Sequence, residues 1–344
     1  MSYLQDLLTN KAKMTVTIVV IAACLLLVVP ALMGNQFAQG IIILILLFGT
    51  MTSAWNIIGG YGGQLSLGHA SFVGLGAYTA VLLAVKFGVS PWIGMLAAAM
   101  IAVAAAVIIG WPCFRLRGPF FALATVAVGE VLRILAINLP GITFGSVGVS
   151  VNMSEFGITH MVFREPWAYG VLALILLVTM LGVTRIIERS QLGFYLVAIR
   201  ENQDAAASLG VNAARIKLLA FMISAAFTAV AGVIYAQYLL YIDPQTVFAS
   251  TLSVQMVLMA IMGGVGTRFG PLLGAALLVP LDQYIRAYFG ASVHGLHLVI
   301  YALILILVIL LIPRGIGPTV KDWISKYERK AESGVTKQSD EGAA

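Results

Sequence analysis

Glu130 and Arg133 stand three residues apart inside the apolar run "GPFFALATVAVGEVLRILAIN". Counted from Pro119 at about 1.5 Å per residue, Glu130 lies about 17 Å along a helix, past the middle of a bilayer, with Arg133 one turn further. Residues at this spacing share a helix face and can pair. Ionisable groups at such depth are costly, and they face a bundle interior or water. Three roles are open to the pair: an ion pair that fixes helix packing, a gate or pathway element, or a proton relay. A second polar group lies in "NIIGGYGGQLSLGHASFVGLGAY" (Asn56–Tyr78), where Gly59, Gly60, Gly62 and Gly63 precede Gln64, Ser66 and His69. Glycines permit non-helical backbone, which a membrane tolerates only where protein or water satisfies the freed groups. Ser66, Ala70 and Gly74 are small and four apart, a pattern that lets two helices approach closely. This segment is either a glycine-rich packing interface with a hydrogen-bonded His69, or a broken helix beside a translocation path that Gln64, Ser66 and His69 face.

Another glycine cluster, "GGVGTRFGPLLGAAL" (Gly263–Leu277), comes late in the chain. Paired glycine-interrupted segments can mark the two halves of an internally repeated transporter, although these two share composition without a common register. His294 and His297 in "HGLH" lack a third ligand nearby and do not make a metal site. There is no G-x-x-x-x-G-K-[ST], and the dipeptide Gly-Lys never occurs, so no P-loop of this chain can cradle ATP. H-E-x-x-H and G-x-S-x-G are absent too, and nothing in the sequence points to an enzyme. Cys24 and Cys113 have no C-x-x-C partner and imply neither a disulfide framework nor a metal.

One interval is different in kind. "RENQDAAASLG" (Arg200–Gly210) puts charge and alanine between two long apolar stretches. Asn202 can cap a helix start, and Asp204 in the first turn suits the positive helix end. Ala205, Ala206 and Ala207 have high helix propensity, and Gly210 is a natural terminator. The sequence predicts a helix of about two turns with Leu209 as its one bulky apolar group. That is too short to persist in water unaided, so the rest of the loop or a docked partner has to hold it.

The elements that position these residues follow from composition. Hydrophobic residues make up 60% of the 344 and charged ones only 10%, where a soluble domain carries about a quarter charged. Apolar runs of bilayer-crossing length recur throughout, and they are continuous, which excludes a barrel's short alternating strands. The expected fold is an all-α polytopic transmembrane bundle of about ten spans: 14–34, 39–58, 64–85, 91–113, 119–137, 167–184, 218–240, 252–265, 270–288 and 296–313. The first run is too long for a signal-peptide core and lacks an A-x-A site, so it is expected to be a retained helix. With the N-terminus cytoplasmic, sixteen Lys and Arg fall inside and three outside, with Arg133 within a span. This is a strong positive-inside bias, and it places both termini in the cytoplasm. The net charge of +6 thus reports orientation and not nucleic-acid binding. Residues 1–318 form the membrane domain, with a cytoplasmic loop at 185–217 and an outer loop at 138–166; 319–344 is a cytoplasmic tail. In the tail, Val320, Trp323, Ile324 and Tyr327 fit a short interfacial helix, and the last residues read as disordered.

"DAAASLG" (Asp204–Gly210) resembles the E-A-A-x-x-x-G loop of ABC importer permeases, with aspartate in place of glutamate. The longer "AIRENQDAAASLGVNAARIKLLAFMISAAFTAVAGVIYA" is similar to the cytoplasmic loop and following helix of branched-chain amino acid permeases of the LivM type. So are "GYGGQLSLGHASFVGLGAY", "LRGPFFALATVAVGEVLR", "MAIMGGVGTRFGPLLGAAL" and the closing "PRGIG". The resemblance runs from about residue 55 to 317. It implies an importer in the bacterial inner membrane with a second, LivH-like permease, two cytoplasmic ATPase subunits that carry ATP and Mg, and an external substrate-binding protein. This chain would bind no cofactor of its own. Glu201–Gly210 would be the coupling helix seated on the ATPase, with Glu201, Asn202, Asp204, Ala205, Ala206, Leu209 and Gly210 in contact with it or shaping it. The 138–166 loop and the other outer loops would meet the binding protein. Leucine, isoleucine or valine is the implied cargo, with urea, amides or other amino acids as alternatives. From another mechanistic class, an ion- or proton-coupled secondary transporter using Glu130 and Arg133 also fits the residues, whereas the intramembrane polar groups disfavour a non-transporting scaffold.

Overall fold

The computed structural model describes residues 35–116, 118–151 and 157–289, with isolated positions between 299 and 310. The expected spans 14–34 and 296–313, the tail helix, His294 and His297 lie outside these or are only partly within them. Among the described residues, seven helices are long and apolar enough to cross a membrane. The chain is thus a multi-pass helical membrane protein, and its expected count of about ten is not reached within the described residues.

The helices are α1 (Gln36–Asn56), α2 (His69–Phe87), α3 (Pro91–Cys113), α4 (Pro119–Asn138) and α5 (Trp167–Arg189). After them come α6 (Gln191–Glu201), α7 (Gln203–Ser208), α8 (Ala213–Leu239), α9 (Ser250–Gly263) and α10 (Gly270–Phe289). Among the described residues the all-α expectation is departed from by a two-stranded ribbon, in which β1 (Val149–Ser150) pairs antiparallel with β2 (Tyr241–Ile242), and by an isolated bridge between Gly157 and Val162. The helix expected over 270–288 forms as α10, yet it is not among the seven, with Asp282, Gln283 and Arg286 in its C-terminal half.

The largest departures from expectation are at the glycines. The span expected over 39–58 begins at Gln36 and runs on through a π-helical turn, Ile57–Tyr61. The span expected over 64–85 begins only at His69, and 62–68 is not helical. Four glycines within five residues remove the side chains that would stabilise a continuing helix, and each costs about 1 kcal/mol relative to alanine. Ser66 is consequently off the helix, and the expected small-residue stripe is reduced to Ala70 and Gly74.

Helix α1 is the core of the bundle, with 83% of its most apolar window buried against 22% for α4. Helix α8 packs against α2, α3, α1 and α5. The α2–α8 crossing is built on reciprocal glycines. A Cβ at Gly76 would stand 2.1 Å from the carbonyl oxygen of Ala229, and one at Gly232 would stand 2.4 Å from that of Val73. Helix α3 offers α8 and α2 a stripe of Gly94, Ala98, Ala102, Ala106 and Gly110, all buried and four apart. Small residues let backbones meet where lipid supplies no hydrophobic drive to associate. In the α9–α10 hairpin, a Cβ at Gly274 would lie 1.8 Å from Met259 O.

Backbone contact of this kind leaves no room for one methyl group. Gly76→Ala is expected to cost about 1–3 kcal/mol through overpacking and to lower the thermal unfolding midpoint in detergent. Gly182→Ala, on an exposed face of α5 with nothing near its Cβ, is expected to be neutral or to stabilise by up to about 1 kcal/mol. Equal midpoints for the two variants would overturn this account of the crossing.

Candidate functional site

The 185–217 interval, expected as a loop holding one short helix, is mostly helical. Helix α5 continues to Arg189, α6 occupies Gln191–Glu201, and α7 is the six-residue segment Gln203–Ser208. Helix α6 was not anticipated, although Leu192, Leu196 and Ile199 carry helical spacing. A charged C-terminal end and a glycine in its first turn, Gly193, obscured it.

Asn202 caps α7 as expected: its Oδ1 accepts from the backbone N–H groups of Asp204 and Ala205, at 3.0 Å each. Gly210 sits at φ +86°, a conformation that L side chains rarely adopt. Asp204, Ala205 and Ala206 are within the helix, Leu209 is its C-cap, and Glu201 belongs to the end of α6, paired with Arg200 at 2.8 Å. The helix is held from below. Ala206 packs with Ile199 and Ala213, and Gln203 Oε1 accepts from Lys217 Nζ at 2.7 Å. Leu209 points away, 86% exposed, beside a cavity of 410 Å³ walled by Phe194, Tyr195, Ala198, Val211 and Ile216. Phe194 is itself 66% exposed. A short capped helix flanked by an apolar hollow and a projecting leucine is equipped to be gripped by another protein.

Arg200, two residues before the cap, reaches from α6 to the π turn, where its Nη1 donates to Gly60 O at 3.1 Å. The two glycine clusters meet at this point. Asn56 Nδ2 donates to Thr267 O (3.0 Å), and its Oδ1 accepts from Gly266 N–H (2.9 Å). A side chain at Gly60 would collide with Asn56 and with the backbone of Gly266. Tyr61 donates to Glu188 at 2.7 Å, and Arg268 forms an ion pair with the same carboxylate. The ends of α1, α5 and α6 and the α9–α10 turn are thereby joined within two side chains of α7.

The structure does not bring the other expected site residues to this point. Ser66 and His69 are fully buried. His69 Nδ1 lies 2.9 Å from Ser66 Oγ and Nε2 lies 2.8 Å from Ser224 Oγ, while Ser224 donates to Ala54 O at 2.6 Å. With the Ser224 proton committed to Ala54, Nε2 donates and Nδ1 of the neutral ring accepts from Ser66. His69 therefore ties the 62–68 segment to α8. Gln64 is half-buried, its amide 3.5 Å from Gly62 O. Glu130 and Arg133 do pair, with Arg133 Nε at 3.1 and 3.0 Å from the two carboxylate oxygens. Their side chains remain 42% and 27% exposed on α4.

Two predictions follow from these contacts. Asn202→Ala removes a cap worth about 0.5–2 kcal/mol. It should raise amide hydrogen exchange over 203–208 several-fold while leaving α8 protected, and unchanged exchange at 203–208 would count against the cap. Glu130→Gln and Arg133→Gln are each expected to lower thermal stability, the double variant by less than the sum. Additive losses would show that the pair has no coupling.

A family model described as branched-chain amino acid transport system, permease component, matches residues 37–311. The chain is 32% identical over 255 residues to the high-affinity branched-chain amino acid transport system permease protein LivM of Salmonella typhimurium, a match covering 68% of this chain and 60% of the relative. To LivM of Escherichia coli it is 33% identical over the same shares. To LivH of Salmonella typhimurium it is 31% identical over 182 residues, 52% of this chain and 55% of the relative. The chain thus spans about 60% of the length of the LivM relatives. No solved structure matches it.

Proposed function

The chain belongs to the family of branched-chain amino acid transport permease components, and on that premise we propose that it is the membrane-spanning subunit of an ATP-driven importer for leucine, isoleucine or valine. The names of the LivM and LivH relatives support both the cargo and the presence of a second permease. The observation that carries the mechanism is α7, capped by Asn202 and presenting Leu209 beside the 410 Å³ hollow. On this reading α7, with Asp204, Ala205, Ala206 and Gly210 shaping it, is the coupling helix, and a cytoplasmic ATPase carrying ATP and Mg grips it. Movement of α7 passes to Arg200 and thence to Gly60, and to Lys217 and thence to α8.

The rest of the assembly follows. The chain lies in the bacterial inner membrane with both termini cytoplasmic, and the residues around 138–166 meet an external binding protein. The half-exposed Glu130–Arg133 pair on α4 is supported as a contact with the second permease, since an ion pair facing lipid at that depth is costly. Gln64 lines the path at the non-helical break, with Ser66 and His69 holding that break in shape.

The test is uptake in liposomes containing the chain with a LivH-like permease, ATPases and binding protein. Leucine should accumulate only with ATP inside the compartment holding the ATPase, and Gly210→Arg should abolish uptake while leaving the protein inserted. Accumulation driven by a proton gradient without ATP would replace this reading with a secondary transporter based on Glu130 and Arg133. Normal uptake by the Gly210→Arg variant would remove α7 from the coupling route.

A further inference from the structure

Helix α8 is 27 residues long, about 40 Å at 1.5 Å per residue. Lys217 near its start holds α7, and its far end carries Gln237. There a cavity of 480 Å³ opens between the C-terminal end of α2, the start of α3 and the residues Ser150, Val151, His160 and Val162. Its wall includes Val81, Val85, Val89, Val151, Val162 and Gln237. One side is tied down by Trp92, whose Nε1 donates to Ile158 O at 2.8 Å. The β1–β2 ribbon fixes Ser150 and Val151 against the end of α8. The volume is in the range of about 300–1,000 Å³ typical of small-molecule sites.

Gln237 is fully buried, and among the described residues neither its Nε2 nor its Oε1 has a hydrogen-bond partner. Leaving a buried polar atom unmet is costly, and native proteins rarely do so for both ends of one amide. A ligand that supplied both partners would recover that energy. An amide offers one donor group and one acceptor, which match a carboxylate and an ammonium on the same molecule. None of the described wall residues is Asp, Glu, Lys or Arg, and His160 is the one titratable group among them, so the wall favours a ligand with no net charge. The five valines favour a branched aliphatic group over a polar one. One turn deeper on the α2 face of Val81, the buried Tyr78 hydroxyl also has no partner among the described residues.

We propose that this cavity is a binding site for a small zwitterionic amino acid with a branched aliphatic side chain. Gln237 receives its carboxylate and ammonium groups, and the valines receive its side chain. The site would be the station that cargo occupies on the side of the membrane opposite α7, and in this respect it rests on the importer reading. It further implies that the permease itself contributes to selection among amino acids.

The test uses the assembled permease–ATPase complex in nanodiscs, without binding protein or ATP, and equilibrium binding of radiolabelled leucine with unlabelled valine, lysine, glutamate and urea as competitors. Valine should compete, and lysine, glutamate and urea should not. Gln237→Met, close in volume, and Ala84→Trp, which fills the cavity from its wall, should each weaken leucine binding at least tenfold. Gln237→Met should also keep or raise the thermal midpoint, because it removes unmet polar atoms, whereas a glutamine serving only the fold would lower it. Equal leucine binding by wild type and both variants, or no saturable binding by wild type up to 10 mM (on the order of −3 kcal/mol), would overturn the site. Preferential binding of urea would overturn the ligand class. Failure of ATP-driven uptake by the wild-type liposomes would instead sink the importer reading, and the nanodisc result would still decide the site.

Discussion

In a bundle surrounded by hydrocarbon, every backbone group released from a helix has to find its partner within the protein, and this chain meets that demand twice at one place. The π turn at Ile57–Tyr61 and the turn between α9 and α10 are both glycine-rich, and both leave backbone groups exposed at the same end of the bundle. The Asn56 side chain, next to the π turn, meets the backbone of the α9–α10 turn by donating to Thr267 O and accepting from Gly266 N–H. Arg200 adds a charged donor to Gly60 O. Hydrogen bonds with one charged partner are about twice as strong as neutral ones, so the Arg200 contact is a substantial part of what holds the turn. The two Asn56 bonds could not form as they stand if Gly60 carried a side chain, because its Cβ would lie 1.9 Å from Asn56 Oδ1.

This arrangement joins parts distant in sequence. Asn56 reaches across 210 positions to Gly266, and Arg200 across 140 to Gly60. The consequence is mechanical. Helix α7 is only six residues long and cannot move alone, because the chain entering it is pinned through Arg200 and its own Gln203 is held by Lys217 of α8. Force on α7 divides between a hydrogen-bonded junction of turns, which can change geometry at modest cost, and a long helix, which moves as a body.

The parts of this picture that depend on local pattern were legible in the sequence. The helix of Gln203–Ser208, its Asn202 cap and its Gly210 terminator follow from residue types within one turn, and the spans follow from apolar runs of bilayer length. What could not be read depends on contacts between distant segments. The glycines of "NIIGGYGGQ" permit a break, but its extent over 62–68 is set by distant partners, Trp55 Nε1 donating to Ser66 O at 2.7 Å and His69 reaching Ser224. Ser66 and His69 looked equally suited to a path or a packing joint, and only the partners across 155 positions separate the two. The Glu130–Arg133 pairing was visible because both members lie on one helix, whereas the half-exposed face they occupy was not. Gln237 gave no signal at all, being one polar residue near the end of an apolar helix.

Contact at glycine backbones fixes the distance between helices but offers few interlocking side chains to fix their register. At the α2–α8 crossing, Gly76 and Gly232 bring the chains together on smooth surfaces, with the neighbouring carbonyls of Ala229 and Val73 as the opposing walls. Interdigitated leucines would have to climb out of their holes for one helix to tilt on another, and packed interiors resist such strain. A small-residue crossing lowers that barrier while keeping the dispersion contacts that hold the helices in lipid. The crossing lies along α8 between Lys217, which holds α7, and Gln237, which lines the far cavity. On the importer reading it is a natural pivot: α8 rotates about a glycine contact, one end answering to the ATPase and the other changing the width of the valine-lined cavity. The His69–Ser224 bond lies between Lys217 and that pivot, where displacement is smaller than at Lys217, and this is consistent with a buried polar tie surviving the motion.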